Sequence, residues 1–230
     1  IVMTRRLIIL IAIVTIGTIS CNAQDLDRKS MRDSLANAIE KLSFHTDSVD
    51  LILRKAAWNM QLEEWQYAKD EYDKVLRIDP VNPAALYYRA YANEKLCRYD
   101  FARNDYKKLL TIVPGNYNAL LGYALLNEKD NHHTEALDII NQLISQHPDS
   151  AIAYAIRAEI ELNNGMAEAA EFDIEEALRL SPDNTDFLYR KAEILILLRK
   201  NDSAKRTLDR IVALGIPRKS LKELYQKTKK

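Results

Sequence analysis

Pro80, Pro114, Pro148 and Pro182 stand 34 residues apart, an interval kept three times in succession. Ala56, Ala90, Ala124, Ala158 and Ala192 repeat at the same spacing, and so do Ala68, Ala102, Ala136, Ala170 and Ala204. A fixed period of roughly 20–50 residues marks a chain made of stacked supersecondary units, none of which can cover its apolar face alone. Three series locked in one phase leave little room for an irregular globular fold.

Each interval reads as two amphipathic helices. In the interval containing Ala90, a first helix is predicted from Pro83 to Leu96, with Leu86, Ala90 and Asn93 on one stripe. A second is predicted from Asp100 to Ile112, with Ala102, Tyr106, Leu109 and Leu110 inward. Spacings of three and four bring those side chains to one side of a 3.6-residue helix. Pro114 then falls just past the helix end, where it cannot extend the hydrogen-bond ladder. Alanine at the two fixed places lets helices approach closely. The low counts of glycine and proline, 5 and 6, agree with short turns between helices and argue against a many-stranded β-fold. The chain carries 33 basic and 33 acidic residues, so no net field draws it to nucleic acid or an anionic membrane.

These residues resemble the tetratricopeptide repeat family. Its pattern asks for large residues at the fourth and seventh places, the fourth being here Ile52, Leu86, Leu120, Tyr154 and Leu188. It asks for a small eighth, an alanine at the twentieth, an aromatic at the twenty-fourth (here Tyr72, Tyr106, Ile140, Ile174 and Leu208) and proline at the thirty-second. Departures are the lack of tryptophan at the fourth place, Lys or Arg at the seventh in four units, and Ile216 where a fifth proline would stand. The resemblance implies an all-α, right-handed superhelical solenoid. Its five repeats would span 49–82, 83–116, 117–150, 151–184 and 185–216. A short tether and a lone half-repeat helix, with Met31, Leu35, Ile39 and Leu42 inward, would fill 21–48. A capping helix with Leu221, Leu224 and Tyr225 inward would fill 217–230.

The resemblance further implies where a partner sits. The second, fifth, ninth and twelfth places of each first helix line the concave side of the family's superhelix. Carried across, the fifth and ninth are Leu53 and Ala57, Tyr87 and Tyr91, Leu121 and Leu125, Ala155 and Glu159, Tyr189 and Glu193. The first three pairs form an apolar, aromatic-bearing stripe, and the last two turn acidic. Apolar groups at solvent-facing places mark either a binding surface or self-packing. The expected function is therefore a protein-binding adaptor that takes a peptide or helix of another protein. The alternative is a structural subunit or homodimer using the same stripe. The subclass that grips acidic C-termini of heat-shock chaperones uses Lys and Asn at such places. Here Leu53, Ala57, Tyr88, Asn118 and Gly122 stand there, so that ligand is not expected.

The N-terminus carries a different signal. Arg5 and Arg6, an apolar run from Leu7 to Ile16 and small or polar residues up to Cys21 have the form of a secretory signal peptide over 1–20. The run is short for a membrane span, which needs about 20 apolar residues. Thr18-Ile19-Ser20-Cys21 resembles a loose bacterial lipobox, which implies lipidation of Cys21 and an envelope location. Cleavage after Ala23 would instead leave a soluble periplasmic protein.

No constellation for catalysis stands out, and neither cofactor nor metal is expected. Glycine is too sparse for a phosphate-cradling loop. His132 and His133 are adjacent in a turn and are expected to point apart, whereas a metal site needs three or four converging ligands. Cys97 is expected to be a partly buried, inert thiol near the end of a first helix.

Overall fold

The computed structural model describes residues 21–229, with side-chain surroundings defined from Asp27 onward; the expected signal segment over 1–20 lies outside the described residues. Every regular element among them is helical. The chain divides into two compact units, the first ending at Pro80 and the second starting at Val81.

The first unit holds α1 (Cys21–Phe44), α2 (Val49–Gln61) and α3 (Trp65–Ile78). α1 is helical from Cys21 onward rather than from near Asp27, so the expected tether is itself part of the helix. No Gly or Pro interrupts that stretch. Its inner face also differs from expectation. Ile39 is 48% exposed and Ala38 is buried instead, beside half-buried Met31, Ser34, Leu35 and Leu42. The repeat register accounts for this. Ser34 and Ala38 stand 34 residues before Ala68 and Tyr72, the two inward places of the next second helix.

The second unit holds four complete helix pairs: α4 (Pro83–Lys95) with α5 (Tyr99–Ile112), α6 (Tyr117–Lys129) with α7 (His133–Gln146), α8 (Ala151–Asn163) with α9 (Ala167–Leu180), and α10 (Thr185–Leu197) with α11 (Asn201–Ala213). A 3-10 turn (Arg218–Leu221) and α12 (Lys222–Lys227) close it. The capping segment is thus split in two, following directly after Pro217, and it still buries Leu221, Leu224 and Tyr225.

Successive cores show why the pairs must stack. One cluster joins Leu120 and Ala124 of α6, Ala136 and Ile140 of α7, and Ala153, Ile156 and Ile160 of α8. The next takes Ala158 from the other side of α8, Ala170 and Ile174 from α9, and Phe187 and Ile194 from α10. The last takes Leu188 and Ala192 from α10, Leu208 and Ile211 from α11, and the three capping residues. α8 and α10 therefore each serve two cores, and neither of their pairs is complete by itself. All ten periodic alanines are fully buried, at 0% exposure. Gly122 marks another close approach, since a Cβ there would lie 2.7 Å from the Tyr106 hydroxyl.

The ends of the first helices repeat as strictly as their cores. Ser48, Asn82, Asn116, Ser150 and Asn184 cap α2, α4, α6, α8 and α10, each side-chain oxygen accepting from a backbone N–H in the first turn. At the other end, Glu63, Cys97, Asn131, Gly165 and Arg199 adopt left-handed φ values of 57–76°. In α4 the Cys97 N–H donates to the Glu94 carbonyl and the Arg98 N–H to that of Asn93, the paired bonds of a Schellman motif. The other four ends carry the same two bonds. These turns hold the second helices, which begin without a side-chain cap.

Candidate first-helix binding face

Within the second unit, the first helices meet side by side through polar contacts between mostly buried or half-buried side chains. Lys129 of α6 lies 3.5 Å from Glu94 of α4. Asn163 of α8 donates to Glu128 of α6 at 2.9 Å, and Glu128 also contacts His133 at 2.7 Å. Arg190 of α10 meets Glu159 of α8 at 2.8 Å and donates to Glu193 on its own helix at 2.7 Å. These contacts make α4, α6, α8 and α10 one continuous face.

Half-buried Tyr87, Tyr91, Leu121 and Leu125 lie on that face, with exposed Ile152 and Tyr189 further along. Tyr87 has a second role. Its ring meets Tyr106 edge-on, with centroids 6.1 Å apart, and Tyr106 stacks on Tyr123 at 6.2 Å. Burial holds the Tyr87 hydroxyl above its ordinary pKa, with Tyr88, Tyr91 and Glu94 adding to the effect. On Tyr91, the Lys95 ammonium lies 4.9 Å from the ring centroid. In the first unit, α2 carries the corresponding half-buried Leu53 and exposed Ala57.

The expected acidic half needs a correction. Glu159 and Glu193 share the Arg190 guanidinium, so the region is a bridged triad rather than a bare acidic patch. Arg190 occupies the sixth place, one removed from those considered as groove-lining. Burial raises the Glu159 pKa, Arg190 opposes the shift, and the Glu193 and Glu128 carboxylates reinforce it.

The basic seventh place, an apparent departure from the repeat pattern, finds its reason inside the helix pair. Lys55 donates to Glu71 at 2.7 Å, Arg89 grips Asp105 through Nε at 2.8 Å and Nη2 at 2.6 Å, and Arg157 grips Asp173 at 2.6 Å through Nη2. Each acid lies 16 residues beyond its base, at place twenty-three of the repeat, on the second helix, and all three are buried. The third repeat puts Tyr123 and Ile139 at these places. Lys191 turns back instead to Glu175 at 2.8 Å. Beside Arg157, burial and the Asp173 carboxylate push the Glu161 pKa up to about 7.

Two cautions from the sequence resolve differently. Cys97 is exposed, not partly buried, because its left-handed backbone carries it out on the turn between α4 and α5. His132 turns to Asp130 (3.3 Å) and Arg103 (3.2 Å), whereas His133 turns to Glu128. Among the described residues no three His, Cys, Asp or Glu side chains could hold a metal ion, and no described helix is long and apolar enough to cross a membrane.

Two family models, both described as tetratricopeptide repeat, match the chain, one over residues 98–160 and 161–215 and the other over 60–117. Among solved structures, a tetratricopeptide repeat protein of Parabacteroides merdae is 25% identical, with a TM-score of 0.65 over 91% of this chain and 82% of its own. MamA of Desulfovibrio magneticus is 16% identical, with a TM-score of 0.66 over 72% of this chain and 94% of its own. YrrB, a tetratricopeptide repeat protein with an unusual peptide-binding site, is 16% identical, with a TM-score of 0.60 over 77% and 92%. Among curated proteins no sequence matches.

Proposed function

Because the chain belongs to the tetratricopeptide repeat family, whose members generally mediate protein–protein interaction, we propose that it is a non-enzymatic adaptor holding a segment of another protein on its first-helix face. The observation that carries this reading is the run of Tyr87, Tyr91, Leu121, Leu125, Ile152 and Tyr189 along that face, none of them fully buried. A chain that needed these side chains only for its core would hide them, as it hides Leu86 and Leu120 one place earlier in the same helices. The fold shared with YrrB, with its own peptide-binding site, is compatible with such use. Leu53 and Ala57 are the matching places in the first unit.

The adaptor would work in the bacterial envelope, anchored through Cys21. The support for this is the Arg5-Arg6 start, the apolar run from Leu7 to Ile16 and the Thr18-Ile19-Ser20-Cys21 sequence. Radiolabelled palmitate should enter the native chain and not Cys21→Ser, and equal labelling of both would remove the anchor from the proposal.

A photo-crosslinking amino acid tests the face itself. Placed at Leu125, it should capture a discrete partner in cells. Placed at exposed Phe101 on α5, it should not. The Leu125 product should vanish in Tyr87→Ala/Tyr91→Ala protein that keeps its helical circular-dichroism signal. Capture that survives this double change would refute the face as the binding surface.

A further inference from the structure

The charges around the apolar run indicate what kind of segment it takes. On the second unit's first helices, places two, five, nine and twelve include Glu94, Glu128, Glu159, Asp186 and Glu193 and contain no Lys or Arg. The cations that reach these carboxylates are few. Lys129 lies 3.5 Å from Glu94, at the outer limit of an ion pair. One guanidinium, that of Arg190, serves both Glu159 and Glu193. Glu128 is satisfied by a neutral amide and by His133. Asp186 is exposed on the first turn of α10. Around Glu159, Glu193 and exposed Asp186 the face therefore sets three carboxylates beside the one guanidinium of Arg190, next to exposed Ile152 and Tyr189, whereas Glu128 is buried.

We infer that the segment held on this face is a basic, apolar-bearing peptide, one that places Lys or Arg opposite Glu159, Glu193 and Asp186 and aliphatic or aromatic side chains over Tyr91, Leu125 and Ile152. This rests on the adaptor reading and adds the chemistry of the partner. An anionic segment would meet Glu159, Glu193 and exposed Asp186 as like charge, and a purely apolar one would leave Glu159 and Glu193 sharing one guanidinium. Burial and mutual repulsion already disfavour the charged form of Glu159, so an incoming cation meets a carboxylate that gains from it. Tyrosine faces further suit guanidinium and ammonium groups, as Lys95 over Tyr91 illustrates within the chain itself.

Three short, capped, fluorescent peptides test this. They share the same Leu and Phe places, and their remaining residues are Lys, Ser or Glu. Fluorescence anisotropy with the full chain should give the order Lys, then Ser, with no binding of the Glu peptide, and the Lys peptide should weaken at high salt. Glu159→Gln/Glu193→Gln should weaken the Lys peptide roughly tenfold and leave the Ser peptide unchanged. Should that pair disturb α10, exposed Asp186→Asn provides a milder version with a smaller loss in the same direction. Glu135→Gln/Glu168→Gln, an equal charge change on second helices, should have no effect.

Equal binding of the Lys and Ser peptides, both lost in Tyr91→Ala/Ile152→Ala, would overturn the basic partner and keep the adaptor reading. Binding of no peptide, or binding indifferent to Tyr91 and Ile152, would overturn both. So would a stable dimer in sedimentation that Tyr91→Ala/Ile152→Ala dissociates, since a second copy would then cover the face.

Discussion

Five residues end the first helices in the left-handed conformation, and Gly165 alone among them is glycine. Glu63, Cys97, Asn131 and Arg199 hold the same backbone because two Schellman hydrogen bonds impose it, against a cost of about 1–2 kcal/mol for an L side chain. Cys97→Gly should therefore raise stability by about 0.5–1 kcal/mol in urea unfolding, the released strain exceeding glycine's extra chain entropy. Gly165→Ala should lower it by about 1 kcal/mol even though open space surrounds the added methyl. Matching midpoints for all three proteins would mean the turns carry no strain. Glu161 has a different signature. Its folded pKa of about 7 lies above the ordinary 4.5, so the folded chain binds this proton more tightly than the unfolded chain. Its stabilising contribution is complete below about pH 4.5 and is lost as pH rises through about 7. Thermal unfolding midpoints should fall from pH 5 to pH 8, and Glu161→Gln should flatten part of that fall and gain most at pH 8. Parallel curves for the two proteins would assign the slope elsewhere. The left-handed places were not legible in the sequence, because four different side chains occupy them and backbone hydrogen bonds select the conformation.

The helix pair is the repeating element, and in three repeats its interior adds to the alanine contacts an ion pair with a buried carboxylate. The alanine contacts were legible, since a close helix crossing tolerates little else and so fixes the residue. The ion pairs were hidden, because Lys stands for Arg and Glu for Asp from repeat to repeat, and the third repeat uses Tyr123 and Ile139 instead. That exception is a natural double replacement. Arg89→Met should cost about 3–5 kcal/mol by leaving the Asp105 carboxylate buried without its fork of hydrogen bonds. Arg89→Tyr with Asp105→Ile, which copies the third repeat, should cost far less than the sum of its single changes. Chemical denaturation of the four proteins of this cycle gives the coupling directly, and additive costs would mean the pair contributes nothing as a pair. The same reasoning explains why the proposed binding face was read only in part. Its apolar places follow the repeat register, whereas the sharing of Arg190 between Glu159 and Glu193 depends on two neighbouring helices lying side by side.

In the second unit, three core clusters from α6 onward each draw on three successive helical segments, and the final one is completed by Leu221, Leu224 and Tyr225 of the capping segment. The Tyr225 hydroxyl donates to Asp209 of α11 at 2.6 Å, and the Arg218 guanidinium lies 4.2 Å from the Tyr225 ring centroid, so the cap is fastened to the last pair. Stability in such an array is a sum of unit terms and nearest-neighbour interfaces, without one central core to lose. Tyr87, Leu121 and Leu125 on the first-helix face add to this packing, while Ile152 and Tyr189 on the same face stay exposed. The most direct test is hydrogen exchange, followed by mass spectrometry, on the chain and on a version ending at Pro217. Protection should collapse in α10 and α11, weaken in α8 and α9, and remain intact in α4 and α5. Equal loss of protection through all four pairs would mean that the unit folds around a single shared core, and would contradict the stacked account.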